Sequence, residues 1–208
     1  MQDESWLIVD TETDGVWSPI HAVEIAAQRM RGWRREGEPF QVLLNHDVPI
    51  DPGAQAVHGY SREYLRRHGA CPYRAHAEFR DYAGDLPMVA YNLSFDWNRV
   101  LAPEYARLGV PVAGRRGFCA LTLTRRVVRE VGNYRLETLK RTFALSNGRS
   151  HTGRGDVETT VALIERVVSP HLHRAGIHGF AAVAAFARRT PVAACLEHVH
   201  GTAVPADV

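Results

Sequence analysis

Asp10 and Glu12 in SWLIVDTET, Asp96 in VAYNLSFDWN, and His151 with Asp156 in GRSHTGRGDVETT supply four carboxyl groups and one imidazole. Four carboxylates drawn to one point repel each other and are stable together only around positive charge, so their convergence would form a site for divalent cations. A histidine adds a base able to accept a proton near neutral pH. The chemistry such a set could perform is metal-assisted hydrolysis of a phosphodiester.

Each residue taken alone has a plainer reading. Residues two apart on a strand point to the same face, so Asp10 and Glu12 would present paired carboxylates at the end of an apolar strand, as a metal platform or as a solvated strand end. Asp96 and Asp156 stand where helices should begin, and there the helix dipole favours a carboxylate with or without a metal. Asn92, four residues before Asp96, could hydrogen-bond a substrate or only stabilise the turn. His151 lies in a loop with Gly153 and Gly155 that could carry a base over a metal held by Asp156; as one of 11 histidines it could equally be a surface residue.

Something must position these groups. Trp6 to Val9, Ala22 to Met30 and Phe40 to Leu44 are apolar runs joined by polar or glycine-bearing turns, which predicts three strands in an antiparallel meander with residues 31–37 as a hairpin tip. Pro49 to Gly53 opens a connection into a mainly helical stretch through Phe79 and Tyr82. A strand at Met88 to Ala90 followed by a helix from Ser94 to Leu108 places the new strand parallel to the first, with its loop at the carboxyl end. Gly117 to Ala120 is a further strand candidate, with helices expected over Thr122 to Glu130, Leu136 to Leu145, Val157 to Val168 and Gly179 to Arg188, and a strand around Pro191 to Leu196.

The 208 residues, 45% hydrophobic, suffice for one well-packed domain with a short appendage. We expect a catalytic domain over 1–170 and an extension over 171–208. Net charge is +2, and among 25 basic residues Lys140 is the one lysine. Arginine grips phosphate through a planar fork, which suits a nucleic-acid partner, although a GC-rich genome would leave the same bias. Cys71, Cys119 and Cys195 form no C-x-x-C pair, which points to neither a zinc site nor a disulfide framework. Asp3 and Glu4 near the start and the absence of a long apolar run predict no signal peptide or membrane span, hence a cytoplasmic protein.

In order and context the five residues resemble the DnaQ-like, DEDDh exonuclease superfamily, whose members include the epsilon subunit of DNA polymerase III, ribonuclease T and oligoribonuclease. Asp10-Thr11-Glu12-Thr13 matches its first motif, Asn92 to Asp96 its second, and His151 to Asp156 its H-x-x-x-x-D third. AVHGY at 56–60 and NYRLETLKRTFAL at 133–145 are similar to the segments between motifs. Departures are Thr13-Asp14-Gly15 for the commoner Thr-Thr-Gly, Tyr91 where histidine is frequent, and Ala120 where aspartate is frequent; these bear on substrate preference more than on competence.

The resemblance implies an α/β, ribonuclease-H-like fold: a mixed five-stranded sheet, three antiparallel strands then two parallel, flanked by helices. It implies two Mg²⁺ or Mn²⁺ ions held by Asp10, Glu12, Asp96 and Asp156, with His151 as general base, and release of nucleoside 5′-monophosphates from single-stranded 3′ ends. Thr13, Val57, His58, Asn92 and Phe95 would line the terminal-nucleotide pocket, with Val16 as a wedge between bases; ordinary core packing is an open alternative for Val57 and Phe95. DNA and RNA are both open as substrate, an RNA-trimming enzyme being the alternative. No clamp-binding Q-x-x-L-F-type peptide is present in the tail. Two other classes fit less well. Glu12 departs from the D-x-D-G-T start of haloacid-dehalogenase-type phosphatases, and a non-catalytic nucleic-acid-binding module would be signalled by a lost ligand or base.

Overall fold

The computed structural model describes residues 4–112, 115–129, 131–145, 150–189 and 199. Its sheet is built around β1 (Ser5–Thr13), which pairs antiparallel with β2 (Ala22–Arg31) on one side and parallel with β5 (Pro87–Ala90) on the other. β5 in turn pairs parallel with β6 (Arg115–Cys119). The outer antiparallel position, expected as a single strand, is shared by two short ones: β3 (Arg34–Arg35) pairs with the end of β2 and β4 (Phe40–Leu43) with its beginning. Glu36 to Pro39 interrupt them, because Pro39 has no N–H to give a ladder and Gly37 adopts a φ of 68°. Gln28 Nε2 covers part of the gap by donating to the carbonyls of Glu36 and Gly37 at 3.2 and 3.3 Å. The sheet therefore has the five strand positions expected of the ribonuclease-H-like class, filled by six strands.

A central strand covered on both faces needs apolar residues throughout, and WLIV supplies them. Trp6 and Ile8 face a core shared with Phe118, Val157, Val161 and Phe186, while Leu7 and Val9 face a second core with Phe79, Leu93, Val100 and Tyr105. Helices α5 (Ala120–Val127), α6 (Leu136–Thr142), α7 (Gly153–Leu163) and α9 (Phe180–Arg189) contribute to the first core or its margin. On the second face lie α3 (Pro72–Ala83) and the helix after β5. The short helices α1 (Pro52–His58) and α2 (Arg62–His68) lie on the β4-to-α3 connection. Leu44 forms a parallel bridge with Ala70 at its end.

Two helices widen locally, each just before a proline. Ser94–Leu101 is π-helical and continues into α4 (Ala102–Leu108), with Ala102 N donating to Trp97 O. α7 continues through a π-helical Ile164–Val168 into α8 (Ser169–Arg174), with Ser169 N donating to Ile164 O. A proline cannot donate to the fourth preceding carbonyl and its ring crowds that oxygen; the wider turns ahead of Pro103 and Pro170 relieve the crowding. The helix expected over 157–168 thus starts earlier, at a Thr152 cap whose side chain accepts from Gly155 N, and runs to Arg174. Those expected over 122–130 and 136–145 are shorter: extended Val128 follows α5, and Ala144 at φ 46° lies just beyond α6.

Among residues 171–189, Phe180 packs onto the sheet. Phe180 meets Trp6 and Phe118 with ring centroids 6.1 and 5.3 Å away, and its N–H donates to Glu4 Oε2 at 2.7 Å. The strand expected at 191–196 lies outside the described residues. No helix among the described residues is long and apolar enough to cross a membrane.

Candidate active site

The alternation that buries β1 also sorts its polar end. Asp10 and Glu12 continue the Trp6/Ile8 face, toward α7; Thr11 and Thr13 continue the Leu7/Val9 face, toward the helix that carries Asp96. β1 reaches Thr13, so both carboxylates belong to the strand rather than to a loop after it. Glu12 pairs with Glu24 but Thr13 pairs with Ala22, so Val23 is a bulge residue on β2 beside the carboxylates.

Ligand oxygens of Asp10, Glu12 and Asp156 lie within 4.8 Å of one another. Asp96 arrives from the other face and is pinned there: its Oδ1 accepts from Thr11 N at 3.0 Å and Thr11 Oγ1 at 2.9 Å. A cleft of about 640 Å³ is lined by all four acids together with Asn92, Phe95 and His151. His151 is exposed and adopts a φ of 60°, in the left-handed region that few non-glycine residues occupy. Beside it Lys140 Nζ donates to Ser150 Oγ at 2.8 Å, and Ser150 Oγ donates to Glu137.

The acids resist ionisation together. Burial, followed by repulsion from Asp96, Asp156, Glu12 and Glu24, holds Asp10 well above the usual carboxylate range. Burial and repulsion from Asp156, Glu24 and Asp96 push Glu12 up to about 8. For Asp96 burial outweighs the Thr11 hydrogen bonds and gives about 7. Asp156 is also raised by burial, against the opposing charge of His151 and a hydrogen bond from its backbone. Such a set is costly unless protonated or neutralised by a cation, and its all-oxygen donors suit hard ions such as Mg²⁺ or Mn²⁺.

A second cavity of about 380 Å³ adjoins the first, sharing Thr11, Glu12 and Phe95, and is lined by Thr13, Val16, Val57 and His58. The expected substrate residues are thus divided: Asn92 faces the carboxylate cleft, Phe95 both, and the others the smaller cavity. Val57 is exposed, so core packing is not its role. His58 is buried with both ring nitrogens engaged, Nδ1 accepting from Tyr60 N at 3.0 Å and Nε2 3.2 Å from Thr13 O. Burial lowers its pKa against that bond to Thr13. Among the departures, Asp14 grips His21, accepting from its N–H at 2.9 Å and meeting its Nδ1 at 2.7 Å; Tyr91 donates its hydroxyl to Tyr134 O, and Ala120 is buried.

Glu24 was not among the expected residues. Fully buried in β2, it accepts from Gly153 N at 3.0 Å and Tyr60 Oη at 2.8 Å through Oε2, and from Gln41 Nε2 at 2.7 Å through Oε1. It ties the first turn of α7, which carries Asp156, to the strand opposite Glu12. A Cβ on Gly153 would lie 3.1 Å from Ala26 Cβ and 3.2 Å from Glu24 Cδ, so glycine permits this close seating. The available signal is an acid inside the apolar run AVEIAA.

Residues 7–164 match the ribonuclease T family of exonucleases. A Mycobacterium tuberculosis protein named for both exonuclease and endonuclease functions is 29% identical over 83% of this chain, and the epsilon subunit of Escherichia coli DNA polymerase III is 29% identical over 60%. The chain spans 28% and 53% of those two proteins. In fold, it superposes on E. coli exonuclease I in complex with a dT13 oligonucleotide with a TM-score of 0.71 at 19% identity, covering 85% of this chain and 44% of that one. The chain belongs to the exonuclease family and has its DnaQ-like, ribonuclease-H-like fold.

Proposed function

We propose that the protein is a metal-dependent 3′-to-5′ exonuclease that removes nucleoside 5′-monophosphates from single-stranded 3′ ends. The observation that carries the reading is the convergence of carboxylates from β1, the Asp96 helix and α7 on one cleft that His151 overlooks. Asp10, Glu12, Asp96 and Asp156 would hold two divalent ions, Mg²⁺ or Mn²⁺. Those ions would supply the positive charge that activates water and offsets charge on the leaving oxygen.

The chain's own groups would do the rest. His151, at the cleft mouth, accepts a proton from the attacking water as oxygen adds to phosphorus and the bond to the 3′ oxygen breaks. Asn92 and Phe95 orient the terminal nucleotide, Thr13, Val57 and His58 shape the smaller cavity around its sugar and base, and Val16 parts it from the next base. The dT13 oligonucleotide bound to exonuclease I supports a single-stranded substrate. We assign the reaction to a domain over 1–170, with 171–208 as an extension packed on it, and to the cytoplasm.

The test is digestion of end-labelled single-stranded DNA and RNA in parallel with Mg²⁺, Mn²⁺ or EDTA. Stepwise shortening from a free 3′ end that chelation stops is the expected result. Undiminished cleavage of 3′-blocked or circular strands, or full activity in EDTA, would sink the reading.

A further inference from the structure

Trp17 stands apart from the other tryptophans. Trp6 is buried and Trp33 and Trp97 pack against the cores, but Trp17 is 83% exposed. An indole left in water is unusual, since tryptophan is highly buried on average. Its neighbours deepen the anomaly, for Val16 and Val57 are also exposed and line the smaller cavity. The exposed apolar surface at this place is the rim of the site.

The loop that carries the indole is clamped. Asp14 and His21 exchange backbone and side-chain bonds across its base, Thr13 Oγ1 donates to Gly15 O at 2.8 Å, and Asp51 N donates to Asp14 O at 2.8 Å. Arg99 donates to Val16 O at 2.6 Å and lies 5.4 Å from the centroid of the Phe95 ring, which lines both cavities. A flat, exposed ring on a clamped backbone, one residue beyond the Val16 that lines the smaller cavity, suits a nucleobase. Stacking on such a ring is tolerant of sequence because every base has a π-face.

We propose that Trp17 is a stacking platform for the base that precedes the 3′-terminal nucleotide of a single strand. The proposal rests on the exonuclease reading above and adds to it a second-nucleotide subsite. It predicts that the enzyme distinguishes substrates with a second base from those without one.

The experiment compares a single-stranded oligothymidylate with the same strand carrying an abasic residue next to its 3′-terminal nucleotide, which lacks the second base. In Trp17→Ala the ratio of kcat/KM on the oligothymidylate to kcat/KM on the abasic strand should fall about tenfold, the loss of one stacked base. Trp17→Phe should recover part of it. In EDTA, where no turnover occurs, the oligonucleotide should quench wild-type tryptophan fluorescence, and Trp17→Phe should abolish that quench. An unchanged ratio in Trp17→Ala, or a quench that survives Trp17→Phe, overturns the proposal. So does a Trp17→Ala variant whose nucleic-acid readouts are unchanged while its sedimentation shifts, which would make the ring a protein contact. A wild type inactive on both substrates with either metal would sink the exonuclease reading, and the fluorescence arm would still decide the stacking.

Discussion

Glu12 gives the sharpest quantitative test of the carboxylate cluster. Its pKa rises from 4.5 to about 8 in the folded, metal-free protein. A carboxyl raised by folding contributes stability that is complete below its unfolded pKa and is lost as pH climbs through its folded value. For Glu12 that window runs from 4.5 to about 8. At about 1.4 kcal/mol per pH unit the full window is worth about 5 kcal/mol, and the share between about pH 5 and about pH 8 is on the order of 3 kcal/mol. For a chain of this size that share lowers Tm by about 6–12 °C. The assay is thermal unfolding in EDTA across that range, for wild type and Glu12→Gln. Wild type should lose stability as pH rises, and the variant, which keeps the shape without the charge, should show a shallower slope, the remainder coming from Asp10, Asp96 and Asp156. Saturating Mn²⁺ should flatten the wild-type profile too, because a cation then does what the proton did. Metal-free wild type whose Tm ignores pH, or a variant with an unaltered slope, would refute the account of the cluster.

His151→Ala should depress turnover by about 10²–10⁴ while Mn²⁺ affinity, read by calorimetry, stays near wild type; wild-type turnover would remove His151 from the base role. Asp10→Ala should abolish activity and weaken Mn²⁺ binding yet leave a folded protein by circular dichroism, since deleting one charge relieves its neighbours. Glu104 has the opposite pH signature from Glu12. Burial works to raise its pKa, but the close approach of His46 and His76, with nitrogens 3.0 and 3.1 Å from its oxygens, outweighs burial and brings it to about 2. That stability is present above 4.5 and lost as pH falls toward 2, so acid denaturation should cost about 3 kcal/mol through this group. Glu104→Gln should be less stable at neutral pH and lose less on acidification.

Much of the site was legible because its parts are local. WLIV followed by alternating acids states both the burial of β1 and the direction of Asp10 and Glu12, and the helix starts at Asp96 and Asp156 announce themselves by the strand or glycine loop ahead. What the sequence hid was cross-chain pairing. Asp14 reads as a departure in a motif, but its partner is His21, and Glu24 reads as a misplaced charge until Gly153, Tyr60 and Gln41 are brought to it. The divided outer strand was hidden differently: Gly37 and Pro39 mark a break, but only the side chain of Gln28 reaching across shows that both pieces occupy one position. The widened helical turns were hidden because the phase shift shows only in the segment beyond the turn, and Ala102–Leu108 and Ser169–Arg174 are too short to display a periodicity of their own.

Those widened turns make each helix mechanically segmented. An extra residue in a turn resets the angular phase of everything beyond it by about 100° without unwinding what came before. In the helix that begins at Gly153, the head with Asp156 is set by β1 and β2, whereas the tail past Pro170 is set by its own packing, and the slack lies between. Deleting one residue from 164–168 would convert that slack into torsion, forcing either the tail off its seat or Asp156 away from Asp10. Substitutions in the tail, by contrast, can be absorbed at the joint, so the outer half of this helix is free to diverge while the carboxylate at its head keeps its aim.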